Sequence, residues 1–168
     1  MHIKKRATPS DFLLSLVVPV FNEERCIEVF EQTIKKTLEK DNINYEIIFI
    51  NDGSNDGTEL SLTELAEKDH KIKFINLSRN FGKDIALTAG IDVAEGDAVI
   101  PIDVDLQHPP EIIPEMISYW KNGYDVVNAR RSDQDKETIL KRVFSKIFYS
   151  VFNSLSSMPL PPKIGDFR

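Results

Sequence analysis

The sequence predicts an α/β fold: a mostly parallel sheet with helices on both faces. Three observations predict it. Short apolar, β-branched runs alternate with longer amphipathic stretches at the spacing of βαβ units. The runs are apolar almost throughout, as strands buried on both faces are. Polar and acidic clusters follow directly after the runs, where open parallel sheets collect their ligands.

The elements come in a regular order. Leu14–Val20 reads as the first strand. Asn22–Lys40 follows as a helix, because Ile27, Phe30, Ile34 and Leu38 recur at helical spacing with charges between them. Tyr45–Ile50 is the second strand and Thr58–Asp69 the second helix. Ile72–Leu77 is the third strand and Lys83–Ala94 the third helix. Ala98–Ile102 is the fourth strand, and Pro109-Pro110 opens a helix over Glu111–Lys121. Tyr124–Asn128 is expected as a fifth strand. After it come a charged loop over 131–136 and a helical pattern over 137–155, which ends at Met158–Pro162. The expected division is an α/β domain over 1–129 and a basic, amphipathic segment over 130–168.

Composition excludes several classes. With 41% hydrophobic and 29% charged residues in 168, the chain is neither disordered nor fibrous. One cysteine, Cys26, excludes an internal disulfide and suits a reducing compartment. No run of about 18 apolar residues is present to span a bilayer. A net charge of −6 argues against a nucleic-acid partner. The charge is uneven: residues 130–168 carry eight Lys/Arg against four Asp/Glu, a balance of +4. The remaining 13 and 23 leave −10 for residues 1–129. Such asymmetry points the C-terminal segment toward an anionic partner.

Five polar clusters should meet on one edge of the sheet: Phe21–Glu24, Asn51–Gly57, Ser78–Lys83, Asp103–His108 and Arg130-Arg131. Asp103-Val104-Asp105 is the sharpest. Two carboxylates at i and i+2 leaving a strand can share a hard cation, and the Gln107 amide oxygen is a third candidate ligand for Mg²⁺ or Mn²⁺. The plainer alternative is that these acids cap the next helix. Asn51–Gly57 is a turn in which Gly53 and Gly57 supply positive φ and Asp56 or Thr58 caps the second helix. Asp52 follows a buried strand and is placed to accept a hydrogen bond from a nucleotide base. Asn22 is a candidate N-cap for the first helix, and Glu23 a candidate partner for a ribose hydroxyl. Arg79, Lys83, Arg130 and Arg131 are candidates to offset phosphate charge. Over 137–155, Ile139, Leu140, Val143, Phe144, Ile147, Phe148, Val151 and Phe152 follow helical spacing, with Lys141, Arg142 and Lys146 between. That pattern fits an interfacial helix, and equally a helix packed on a core or a subunit.

Taken together, Val17–Glu24, Asn51–Ser54, Leu77–Lys83, Asp103–Gln107 and Gly165–Arg168 resemble family-2 glycosyltransferases. Within that family they resemble the polyprenyl-phosphate group of dolichol-phosphate mannose synthases and bactoprenol glucosyltransferases. The resemblance implies a Rossmann-like type A glycosyltransferase fold and inversion at the anomeric carbon. It implies that Pro19, Phe21, Asn22, Glu23 and Asp52 hold base and ribose, and that Asp103 and Val104 reach the nucleoside. Asp103, Asp105 and Gln107 would hold Mg²⁺ or Mn²⁺, Lys83, Arg130 and Arg131 would meet phosphate, and Asp105 and Asp166 would stand at the reacting centre. The implied reaction moves a hexose from a nucleotide sugar, expected to be UDP-glucose, to a polyprenyl phosphate of the cell envelope. Members of the group usually continue past the Gly-Asp-Phe-Arg segment and often end in two membrane-spanning helices. The chain is therefore expected to be a piece of a membrane-anchored protein working on the cytoplasmic side, with room for a homo-oligomer. The alternatives are a catalytically incomplete nucleotide-binding or membrane-docking fragment, and a glycosyltransferase with a non-lipid acceptor. A phosphatase with an Asp-x-Asp nucleophile is disfavoured because its motif follows the first strand. A Walker loop and a GxGxxG are both absent from the sequence.

Overall fold

The computed structural model describes residues 12–129. Four parallel strands form the sheet: β1 (Leu13–Val20), β2 (Asn44–Asn51), β3 (Ile72–Asn76) and β4 (Ala98–Pro101). Their order is β3-β2-β1-β4. The chain runs β1 to β2 to β3 in one direction, then returns to place β4 on the far side of β1. This reversal opens a crevice at the carboxyl ends of β1 and β4, the place where open α/β sheets bind ligands.

Helix α1 (Glu24–Lys40) buries Ile27, Phe30, Ile34 and Leu38 completely, one stripe along a helix charged elsewhere. Each such side chain contributes about 1.5–3 kcal/mol by leaving water. Phe30 meets Phe49 of β2 edge-on at 5.9 Å between ring centres. Helix α2 (Thr58–Lys68) packs beside α1. On the opposite face α3 (Lys83–Val93) sets Ala86 against Val17, Ile48 and Ile50. Successive strand residues point to opposite faces, so Ile48 and Phe49 serve the two layers and β2 must be apolar throughout. Both faces are therefore covered, as the sequence predicts.

Four expectations change. The first helix begins at Glu24, not at Asn22, because Asn22 takes the left-handed conformation with φ 56. The helix predicted over Glu111–Lys121 opens as a 3₁₀ turn, Pro110–Ile112, before α4 (Ile113–Lys121). Tyr124–Asn128 forms no strand, and the sheet has four strands among the described residues. Val126 is exposed, and Asp125, Val126 and Val127 line a cavity of about 600 Å³ with Leu14, Ile100 and Trp120. An apolar segment becomes a strand only when its backbone finds a ladder, and this one joins none. Gly57 turns the chain into α2 with φ −74, without the positive φ expected of it. The helical pattern over 137–155 lies outside the described residues. No helix among the described residues is long and apolar enough to cross a membrane.

Candidate functional site

The ends of β1 and β2 are stitched together. The Asn22 N–H donates to Ser54 Oγ at 2.9 Å, and Asn22 Oδ1 accepts from the Asn55 N–H at 2.8 Å. The Glu23 N–H donates to Thr58 Oγ1 at 3.0 Å, and the Gly57 N–H donates to Glu24 Oε2 at 3.3 Å. Asp56 Oδ1 accepts from the Thr58 hydroxyl at 2.6 Å and its N–H at 3.0 Å, and this pairing holds the exposed Asp56 carboxyl below its ordinary range. Asn22 therefore does not cap α1. Its side chain crosses to the second loop, and the left-handed turn leaves Phe21 exposed and the Glu23 carboxylate half-exposed beside the crevice. Pro19 lies inside β1 opposite Ile50, set back from the rim.

Asp52 is buried, 4% exposed. Its two oxygens accept from the backbone N–H groups of Phe81 and Gly82 at 2.8 and 2.9 Å. The residue thus anchors the loop between β3 and α3, besides any lone pair it offers to a base. Gly53, at φ 68, permits this approach: a Cβ there would stand 2.4 Å from the Arg79 carbonyl carbon. In the same loop the Arg79 guanidinium stacks on the Phe81 ring at 4.2 Å.

At the end of β4 the Asp-Val-Asp motif divides by side. Val104 is buried, which leaves only its backbone for a ligand. Asp103 is partly exposed, and the Lys83 ammonium sits 2.9 and 3.0 Å from its two oxygens. Asp105 is exposed, and its Oδ1 accepts from the Gln107 N–H at 3.1 Å. Leu106 between them has φ 56, a conformation a branched apolar residue seldom takes. That turn sets Asp105 and Gln107 on one exposed bend.

Cys26 lies in the first turn of α1. Its thiol is pushed up by a hydrogen bond to the Glu23 side chain, then by burial and by the charges of Glu23 and Asp105. Glu23 follows β1, Asp103 and Asp105 follow β4, and the exposed Lys83 ammonium pairs with Asp103. Among the described residues no three His, Cys, Asp or Glu side chains form a cage able to hold a metal alone. Two carboxylates and an amide oxygen fit Mg²⁺ or Mn²⁺, which keep positions open for substrate phosphate.

Of the residues singled out by sequence, Phe21, Asn22, Glu23, Asp52, Asp103, Asp105 and Gln107 belong to loops at this edge, and Lys83 opens α3 beside them. Arg130, Arg131 and Asp166 lie outside the described residues. Sequence reasoning missed Ser54, Asn55 and Cys26, and assigned no role to Leu106. The run Asn51–Gly57 announced a turn, but nothing local announces that it bonds to Asn22–Glu24.

The open parallel sheet, with acids at its switch point, has the α/β fold of the type A glycosyltransferase kind. The chain belongs to glycosyl transferase family 2, whose family model matches residues 15–167. It is 48% identical over 155 residues to an uncharacterized glycosyltransferase of Synechocystis, covering 92% of this chain and 49% of that protein. It is 49% identical over 155 residues to the bactoprenol glucosyl transferase of Shigella phage SfV, covering 92% and 50%. The chain spans about half the length of the curated relatives it matches. Among solved structures, the mannosyltransferase PcManGT of Pyrobaculum calidifontis, in complex with GDP-Man and Mn²⁺, has a TM-score of 0.56. That match has 21% identity and covers 83% of this chain and 38% of the other. A mycobacterial protein has a TM-score of 0.61 at 19% identity, covering 94% and 52%. These likenesses establish the fold.

Proposed function

We propose that the chain is the donor-binding part of an inverting, metal-dependent glycosyltransferase that moves a hexose from UDP-glucose to a polyprenyl phosphate. The observation that carries this reading is the bend at the carboxyl end of β4, which carries Asp103 and the exposed Asp105, with the Lys83 ammonium 2.9 Å from Asp103. An acidic crevice repels a nucleoside diphosphate unless a cation stands between them. A divalent cation held by Asp103, Asp105 and Gln107 would neutralise charge on the departing diphosphate.

The chain's own residues do the rest. Glu23 offers its carboxylate to ribose hydroxyls, and Asp52 anchors the loop that carries Arg79 and Phe81. Lys83 supplies a cation to the phosphates. An acceptor that is itself a phosphate monoester is already anionic near pH 7, so the site needs no strong general base. It needs cations to hold two anions together, and Arg130 and Arg131 suit that task through bidentate contacts, with Asp166 assigned to the reaction by the family resemblance. Residues 130–168 then form the acceptor- and membrane-facing segment, on the cytoplasmic side of the cell envelope. The identity to bactoprenol glucosyl transferases supports glucose and a polyprenyl acceptor.

A calorimetric screen of nucleotide sugars with Mn²⁺ tests the assignment. UDP-glucose is expected to bind at least about tenfold tighter than GDP-mannose, about 1.4 kcal/mol. A preference for GDP-mannose, or no nucleotide binding, would refute it.

A further inference from the structure

Lys83 opens α3, and Asp103 leaves β4, 20 residues later. One ammonium takes both carboxylate oxygens, at 2.9 and 3.0 Å. Those are the oxygens a divalent cation would use. The side chains are 40% and 34% exposed, so water reaches the pair and exchange needs no opening of the core. The other acids of the crevice, Asp105 and Glu23, are also at the rim. We propose that Lys83 is the resident counter-ion of Asp103, and that it leaves this carboxylate for the donor's diphosphate when metal and nucleotide bind together. The proposal rests on the reading of Asp103, Asp105 and Gln107 as metal-holding residues.

The exchange balances charge. The incoming cation replaces the ammonium at Asp103, and the incoming diphosphate offers the ammonium new oxygens. Metal arriving without nucleotide must displace Lys83 with no anion to receive it. Metal and nucleotide should therefore help each other bind, and the help is reciprocal. Lys83 accordingly counts as a positioning residue that selects for the combined metal–nucleotide ligand over free metal.

The test uses the 168-residue chain with Mn²⁺ and UDP as probes. Lys83→Met keeps the length of the stem without the charge, and Lys83→Gln is a second variant should the first fold poorly. Mn²⁺ binding without nucleotide is read by electron paramagnetic resonance, and UDP binding in saturating Mn²⁺ by calorimetry. Either variant is expected to bind Mn²⁺ alone about fivefold tighter than the parent chain, the scale of one partly exposed ion pair. UDP in Mn²⁺ is expected to bind weaker by a similar factor. Equal, weaker or undetectable Mn²⁺ binding in the variants overturns the proposal. If parent UDP binding still requires Mn²⁺ and is lost in Asp105→Asn, the metal reading survives that failure. If parent UDP binding ignores Mn²⁺, both readings fall.

Discussion

Replacing Asp52 by asparagine isolates what its carboxylate does for the fold. The two side chains have nearly the same shape, so packing is preserved. The charge is lost, and one of the two acceptor oxygens becomes an NH₂ donor. In the parent chain the two oxygens accept from the Phe81 and Gly82 N–H groups at 2.8 and 2.9 Å, in a position only 4% exposed. The amide of the Asp52→Asn variant can accept from one of them; the other N–H then faces a donor and no acceptor. A hydrogen bond to a charged group contributes about 1.5–3 kcal/mol, and a stranded buried donor costs about 1–3 kcal/mol. A local loss of about 2 kcal/mol is therefore expected, which speeds exchange of the stranded amide about 30-fold. Amide hydrogen exchange followed by NMR reads Phe81 and Gly82 separately. Acceleration is expected at one or both, while amides within β1 change far less. Unchanged protection at both Phe81 and Gly82 would refute the anchoring role.

Further outcomes follow from the same geometry. Gly53→Ala places a Cβ at φ 68 and 2.4 Å from the Arg79 backbone, and should cost at least about 2 kcal/mol in urea unfolding. A loss below about 0.5 kcal/mol would contradict the close approach. Glu46 is buried; burial raises its carboxyl, but hydrogen bonds from Ser15 Oγ, Lys73 Nζ and the Glu95 N–H bring it below its ordinary value of 4.5. A depressed native pKa stabilises the fold above pH 4.5 and loses that contribution as pH falls through the native value. Thermal melts should thus drop more steeply below about pH 4.5 in the parent chain than in Glu46→Gln, and parallel curves would count against the network.

The fold was largely legible because strands and helices write local patterns. The stripe Ile27, Phe30, Ile34, Leu38 and the apolar run of β2 needed no partner to be recognised. The lost strand at Tyr124–Asn128 shows the limit, since a strand is a relation between two segments and its sequence states only one. The same holds at the site. Asp103 and Asp105 were visible from their spacing at a strand end. That Asp103 is held by Lys83, and Asp52 bonded to Phe81 and Gly82, depends on loops 20 and about 30 residues away. Asn22 misled because Asn favours both helix caps and the left-handed turn it adopts here.

The acidic switch-point crevice should accept a diphosphate only together with a divalent cation. Calorimetric titration of UDP into the chain, with and without Mn²⁺, tests it most directly. Binding at least about tenfold tighter with Mn²⁺ is expected, with loss of that gain in Asp105→Asn. Equal affinity with and without the metal, or a gain that survives in Asp105→Asn, would contradict it.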